Sequence, residues 1–211
     1  MKYFFLDTSN SRLIVAIYKN KNKLAYYNEK CDNTLSSQIM PVIDRVFSEA
    51  KTSPWDIDKI FVVTGPGSFT GIRIGVTIAK TYAWTFATEI VPISSLEVMA
   101  TTKFKGNYIV PIIDARRNFV YAGVYDKNLN LIKPDRYLPL NDLLNELNGK
   151  KVSFVTYDSI ELESRVIEPD IQILPLLKKH LNDRPVNPHQ INPNYLKLTE
   201  AEEKLINDTR N

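Results

Sequence analysis

The most informative segment of the chain is TGPGSFTGIRIG (residues 64–75), which follows a short apolar run and leads into a long segment of helical periodicity. Glycines between a strand and a helix are typical of phosphate-binding loops. The P-loop requires Lys and then Ser or Thr directly after its second glycine, whereas Gly71 is followed by Ile72 and Arg73. The Rossmann fingerprint also fails, because GPGSFTG is one residue too long and no acidic residue follows the next strand.

Two interpretations of this loop remain open. Ser68 can cap the helix, and the free N–H groups beside it can accept an anion such as phosphate. Alternatively, the glycines only allow a sharp turn from strand to helix. The spacing alone favours the second interpretation.

The helix that follows, predicted over residues 68–88, carries a ridge of small side chains. They recur every four residues, and the small and apolar positions together cover more than half of the circumference. The pattern predicts two buried faces, one on the helix's own sheet and one against a closely approaching neighbour. That neighbour is either another protein, which we favour, or this chain's own first helix. The ridge consists of Gly71, Gly75, Ala79, Ala83 and Ala87.

The remaining chain predicts an α/β protein in which one pattern occurs twice. The first copy of the pattern begins with strands KYFFLDTS, RLIVAIYK and KLAYYNEK, followed by an amphipathic helix over residues 35–51 that Pro41 should bend. It continues with strand DKIFVVT, the helix after the glycine loop, strand EIVPIS and helix SLEVMATTKF. The second copy of the pattern has strands NYIVPIIDAR, NFVYAGVYDK and LNLIK, helix LNDLLNEL capped by Asn141, and strand KKVSFVTYDS. Beyond Arg165 the chain is proline-rich, and a capping box at Thr199 begins a last helix. We therefore expect lobes at residues 1–104 and 105–198 and a C-terminal helix and tail at 199–211.

Composition limits the classes of function. The 211 residues are 44% hydrophobic and 24% charged, which is ordinary for a soluble globular protein. A formal charge of +3 without basic clusters argues against direct nucleic-acid binding. Cys31 has no partner cysteine, and no apolar stretch approaches the ~18 residues of a membrane span. We expect a cytoplasmic protein.

Candidate catalytic groups are few. His180 and His189 lie in the late polar region without a paired nucleophile, and we expect both on the surface. No His, Asp or Glu cluster has metal-ligand spacing, so we expect no metal and no cofactor. Asp7 ends the first strand, and LDTSNS resembles the first phosphate motif of actin-like ATPases, but its turn contains no glycine. Asp7 is thus a vestigial phosphate position. Asp114 ends the first strand of the second lobe, either as its duplicate or as an ordinary turn residue.

Four segments in order, LDTS, GPGSFTGIRIGVTIAK, IDARRNFVYAGVY and PNYLKLTEAEEK, give the chain a clear likeness to one family. It resembles the bacterial TsaB family over nearly its whole length. The resemblance implies an actin-like ATPase (ASKHA) fold with two duplicated lobes of mixed sheets flanked by helices, and no competent ATPase chemistry. It also implies pairing with the catalytic subunit TsaD and, through that pair, with the ATPase TsaE. Together they build N6-threonylcarbamoyladenosine (t6A) beside the anticodon of certain tRNAs, from a threonylcarbamoyl-adenylate donor that another enzyme supplies.

The resemblance also implies an interface, since in the family the two helices of the first lobe pack against the equivalent pair of TsaD. The predicted contacts are Ser68, Phe69, Gly71, Arg73, Gly75, Ala79 and Ala83 on the second helix and its loop, and Ile39, Ile43 and Val46 on the first. The chain is then a non-catalytic dimerisation subunit that meets tRNA only within the complex, with a homodimer possible when it is alone. The main alternative is a small-molecule kinase of actin-like fold, against which stand the glycine-free turn and the lack of a second phosphate loop. A protease is a third class, but no nucleophile–base pair supports it.

Overall fold

The computed structural model describes residues 1–31, 34–162 and 166–197, which form two five-stranded mixed sheets. The first sheet has the order β3-β2-β1-β4-β5. In it β1 and β3 lie antiparallel to β2, and β4 and β5 continue the sheet parallel to β1. Its strands are β1 (Lys2–Asp7), β2 (Arg12–Lys19), β3 (Asn22–Lys30), β4 (Lys59–Gly65) and β5 (Glu89–Ser94).

The second sheet repeats this arrangement. Its order is β10-β9-β6-β7-β8, with β6 antiparallel to β7, β7 antiparallel to β8, and β9 and β10 parallel to β6. Its strands are β6 (Tyr108–Asp114), β7 (Phe119–Tyr125), β8 (Leu131–Pro139), β9 (Val152–Val155) and β10 (Val166–Ile167). Each sheet thus has three antiparallel strands followed by two parallel ones, which confirms the predicted duplicated, actin-like α/β fold.

Five α-helices flank the sheets in the described part of the chain: α1 (Leu35–Glu49), α2 (Phe69–Thr85), α3 (Ser95–Ala100), α4 (Leu140–Leu147) and α5 (Ile173–His180). The first helix continues through Pro41. The second is shorter than predicted, since the backbone turns left-handed at Ala87 with φ 49°. The fourth begins at Leu140, so Asn141 lies inside it and the predicted cap is wrong.

Two apolar clusters lie on opposite faces of the first sheet. One holds α1 and α2 against the sheet and includes Phe4, Ile43 and Val76. The other lies between the sheets and combines residues of both lobes, among them Phe5 and Ile109. The two lobes therefore share a continuous apolar core.

The segment after Arg165 differs most from the prediction. It contains α5, which begins at Ile173 and has Pro175 in its first turn, where a proline removes no helical hydrogen bond. Residues 186–194 then run along the first lobe rather than the second: Val186 N donates to Ile90 O (3.0 Å) and Asn194 N to Thr64 O (2.7 Å). The predicted helix at 199–211 lies outside the described residues.

Candidate functional site

The glycines before and within α2 allow it to lie against the turn that follows β1. A Cβ on Gly67 would lie 2.1 Å from Ser9 O, and one on Gly71 would lie 2.1 Å from Thr8 O. Gly67 also has φ 146°, a conformation that side chains rarely adopt. The loop is therefore built for close packing of two pieces of this chain.

Hydrogen bonds join the same two pieces. Ser68 N donates to Ser9 O (2.7 Å), and Thr8 Oγ1 donates to Gly71 O (2.7 Å). The Ser68 side chain accepts from Gly71 N (3.2 Å) and caps α2, as predicted. The start of α2 is thus fixed by the turn at residues 8–9 on one side.

Asp7 lies under this turn and is buried. Its Oδ1 accepts hydrogen bonds from Ser9 N (2.8 Å) and Ser9 Oγ (2.6 Å). Burial raises the pKa of Asp7 to about 6, against the opposing effect of the two Ser9 hydrogen bonds. The Asp7 carboxylate therefore stabilises the turn that follows β1 in its own chain.

A cleft of about 530 Å³ lies between the lobes, where the ends of β1 and β6 approach each other. In it Asp114 Oδ1 accepts from Arg116 N (2.8 Å), and Asp158 Oδ2 accepts from Asp114 N (2.8 Å). Burial, and then the nearby Asp114 charge, raise the pKa of Asp158. Asp114 thus ends its strand as Asp7 does, with a hydrogen bond from the N–H two residues on. Both readings of Asp114 are combined: it is the duplicate of Asp7 and a turn residue.

The predicted contact residues divide into two groups. Seven of them are buried within the chain itself: Gly71, Gly75, Ala79 and Ala83 on α2, and Ile39, Ile43 and Val46 on α1. Gly71, Gly75, Ala79 and Ala83 of the small ridge face the first lobe's own sheet and the turn after β1. Contact of these seven residues with a partner stays a prediction. Small side chains permit close approach to any neighbour, and here the neighbour is the chain itself. Ser68, Phe69 and Arg73 are exposed.

The outer face of α2 carries an exposed stripe that includes two of the predicted contacts, Phe69 and Arg73, and three residues that were not predicted. Its members recur at steps of three or four residues and lie opposite the buried ridge. Phe69 and Trp84 at its two ends are 53% and 67% exposed. The exposed stripe consists of Phe69, Arg73, Thr77, Thr81 and Trp84.

A second element borders this stripe, the segment of residues 186–195, which we call the C-terminal strap. It runs antiparallel to α2: the His189 ring meets Trp84 (centroids 4.5 Å apart), and Tyr195 stacks on Phe69 (5.0 Å). Between them Lys80 Nζ donates to the carbonyl of Ile191 (2.9 Å).

At its end, the strap is tied to both α2 and the glycine loop. Arg73 Nε donates to the Tyr195 hydroxyl (2.7 Å), and the Arg73 guanidinium lies 3.7 Å from the Phe69 ring centroid. A Cβ on Gly65 would lie 2.8 Å from Asn194 O, so this glycine makes room for the strap. The glycine loop is therefore held by the turn after β1 on one side and by the strap on the other.

Within residues 1–31, 34–162 and 166–197, no three His, Cys, Asp or Glu side chains are grouped so as to hold a metal ion. None of the helices in these ranges has the length and apolar character needed to cross a membrane.

Comparison with known proteins gives concordant matches. The family model described as TsaD, tRNA N6-adenosine threonylcarbamoyltransferase, matches residues 28–165. A relative from Bacillus subtilis (strain 168), tRNA threonylcarbamoyladenosine biosynthesis protein TsaB, is 36% identical over 228 residues and spans 98% of both chains. Its namesake from Escherichia coli (strain K12) is 26% identical over 191 residues, covering 82% of this chain and 81% of that relative.

Among solved structures, YeaZ from Pseudomonas aeruginosa superimposes with a TM-score of 0.80 at 21% identity, covering 92% of this chain and 99% of that chain. At that identity the likeness concerns the fold. The end-to-end match with the Bacillus subtilis relative goes further: the chain belongs to the TsaB family of tRNA threonylcarbamoyladenosine biosynthesis proteins.

Proposed function

We propose that this chain is a non-catalytic dimerisation subunit in t6A biosynthesis, which pairs with TsaD through the outer face of α2. Membership of the TsaB family supports the role in t6A biosynthesis. The match to the TsaD family model supports the choice of partner, because two related chains can pair through equivalent faces as two identical subunits do in a symmetric dimer. TsaE would join through the TsaB–TsaD pair, tRNA would bind the assembled complex in the cytoplasm, and a homodimer would use the same face when TsaD is absent.

The exposed stripe on α2 is the observation that carries this proposal. Aromatic residues and arginine are enriched at the centres of protein interfaces, and the stripe supplies Phe69, Trp84 and Arg73. Phe47 of α1 and Tyr82 of α2 have ring centroids 6.4 Å apart, so the two helices lie side by side on one face of the sheet. On α1, Met40 is a further exposed apolar side chain, at 41%.

The turn after β1 favours the scaffold function over the alternative, a kinase of actin-like fold. A phosphate-binding turn presents free backbone N–H groups to its ligand. Here Ser9 N donates to Asp7. The Thr8 carbonyl oxygen faces Gly71 of α2, and the Ser9 carbonyl oxygen faces Gly67 of the loop before it, at distances that exclude even a Cβ. The turn is thus engaged in holding α2.

A matched pair of variants tests the proposal. Thr77→Arg places a guanidinium in the middle of the stripe, whereas Asn145→Arg places the same group on an exposed position of α4 in the second lobe. Overpacking a close contact costs ~1–3 kcal/mol, so Thr77→Arg should lower the affinity for TsaD, measured by calorimetry, roughly tenfold or more. Asn145→Arg should bind as the wild type does, and both variants should melt near the wild-type temperature. Equal affinities for wild type and Thr77→Arg would reject this face as the interface.

A further inference from the structure

His180, at the C-terminal end of α5, lies between two carboxylates. Its Nε2 is 2.9 Å from Glu97 Oε2, and its Nδ1 is 2.6 Å from Asp183 Oδ2. An ionised carboxylate only accepts hydrogen bonds, and a neutral imidazole has a single N–H. A neutral ring could therefore satisfy only one of these contacts, whereas an imidazolium donates to both. The geometry requires the protonated ring.

The carboxylate on the α3 side is held in place by a second cation. Glu97 is buried, and its other oxygen accepts from Lys179 Nζ, which also donates to Leu129 O (2.6 Å). Lys59 Nζ donates to Leu181 O (2.8 Å) and pairs with Glu89 Oε2 (3.1 Å). The charged and titratable groups facing the ring and its partners are Glu97 from α3, Lys179 from α5, Asp183 after it, Lys59 from β4, Glu89 from β5, Tyr125 from β7, Asp126 after it and Asp135 from β8. Neither Lys59 nor Lys179 contacts the carboxylate of Asp183, so the His180 imidazolium is the cation that joins this carboxylate to Glu97.

The position of this cluster links it to the strap. His180 is the last residue of α5, and the chain leaves it through Leu181 and Asp183 to reach the strap at residue 186. The carbonyls of Leu181 and Asp183 both lie within reach of Lys59 Nζ, at 2.8 and 3.5 Å. The cluster therefore anchors the start of the segment that borders α2.

We propose that His180 forms a proton-dependent latch. Its imidazolium joins Glu97 of α3 to Asp183 ahead of the strap, and loss of the proton at alkaline pH releases this end of α5 and loosens the strap beside α2. The latch belongs to the isolated chain and does not rest on the proposed function.

The direction of the pH dependence follows from the environment of the ring. Burial alone would lower the pKa of His180, but the hydrogen bonds to Glu97 and Asp183 and their charges outweigh it and raise that pKa. In the unfolded chain a histidine titrates near ~6.5. The contact thus contributes its full stability below about pH 6.5 and loses it as the pH rises through the higher pKa of the folded state.

Proton NMR of the histidine rings tests the latch directly. The chain has two histidines, so His189→Gln leaves the His180 ring as a single titrating signal. We expect its pKa to lie above ~6.5. Asp183→Asn should lower it by roughly one pH unit, because an opposite charge beside the ring is removed. The Asp183 side chain is 49% exposed, so this variant should remain folded. Asp142→Asn, an exposed change on α4, is the matched control and should leave the His180 titration unchanged.

The stability of the same proteins gives a second readout. The melting temperature of His180→Gln should fall below that of wild type at pH 6, and the difference should vanish once the pH exceeds the measured pKa of His180. If His180→Gln does not fold, the same comparison is made with Asp183→Asn. A His180 pKa at or below ~6.5, or one unchanged by Asp183→Asn, would overturn the latch. Neither measurement involves TsaD, so failure of the chain to bind TsaD would reject the proposed function and leave the latch standing.

Discussion

Replacing Gly75 with alanine should destabilise this protein, although alanine is the better helix former. In mid-helix the propensity difference favours alanine by ~1 kcal/mol. In this fold, however, a Cβ at position 75 would lie 2.2 Å from Thr8 Oγ1 and 3.3 Å from Thr8 Cβ. Thr8 is buried, and its hydroxyl is committed to Gly71 O, so the side chain cannot simply move into solvent. Either Thr8 rotates and loses that hydrogen bond, or the turn after β1 moves away from α2.

The expected magnitude follows from these contributions. The lost hydrogen bond costs ~1 kcal/mol and the overpacking ~1–3 kcal/mol, offset by ~1 kcal/mol of helix propensity. The net loss in free energy of unfolding is therefore ~1–3 kcal/mol, measured by urea denaturation at 25 °C. The control is Thr77→Ala on the exposed face of the same helix, which should change stability by less than ~1 kcal/mol and towards greater stability.

A double-mutant cycle with Thr8→Ala separates this contact from general effects. Removing Oγ1 and Cγ2 of Thr8 makes room for the new methyl group, so Gly75→Ala should be less costly in that background, with a coupling of ~0.5–3 kcal/mol. The affinity for TsaD per folded molecule should stay unchanged, since residue 75 faces inward. A neutral or stabilising Gly75→Ala in the wild-type background would refute the reasoning. It would mean that α2 does not lie against this turn and that the small ridge is free for a partner.

Three further predictions concern the cleft and the surface. The protein alone should show no useful ATPase rate, and steady-state turnover that disappears in Asp7→Ala would contradict this. Binding of tRNA by the chain alone should be weak at the physiological ionic strength of ~150 mM, given its formal charge of +3; a tight, salt-dependent gel shift without TsaD is the opposing result. Because burial raises the pKa of Asp7 to about 6, its contribution to stability is present below the unfolded pKa near ~3.9 and is lost as pH rises through about 6. The free energy of unfolding of Asp7→Asn, relative to that of wild type, should therefore rise by up to ~3 kcal/mol between pH 4 and pH 7 in urea titrations. A difference that does not change with pH would exclude the raised pKa of Asp7.

The strands could be read from the sequence because their signal is local. Alternation in the outer strands and continuous apolar runs in β4 and β6 reflect how many faces of each strand are buried. Helix α5 is not among the predicted elements, because the chain beyond Arg165 was interpreted only as proline-rich. Its own Pro175 lies in the first turn, where a proline is compatible with a helix. Its apolar positions Ile173, Leu176 and Leu177 were the available signal.

The site was harder to predict because it depends on which surfaces meet. The ridge of small residues correctly indicated a close neighbour, but the same pattern suits a partner helix and a turn of the same chain. The strap could not be foreseen, since Lys80 binds a backbone carbonyl that lies more than a hundred positions along the chain and carries no side-chain pattern. The expectation that His180 lies on the surface was wrong, because its partner Glu97 is far away in the sequence and becomes its neighbour only in the folded chain.

The most direct test of the scaffold role is the initial rate of t6A formation in a reconstituted mixture of TsaD, TsaE, tRNA, the threonylcarbamoyl-adenylate donor and this chain. Two variants are compared with wild type: Asp114→Asn, which keeps the Oδ1 acceptor for Arg116 N but removes a charge from the cleft, and Thr77→Arg on the exposed stripe. A subunit that acts by pairing should retain near wild-type rates with Asp114→Asn and lose most of the rate with Thr77→Arg, with no product when the chain is omitted. Loss of the rate with Asp114→Asn while Thr77→Arg remains active would contradict the proposal and assign the chemistry to the cleft of this chain.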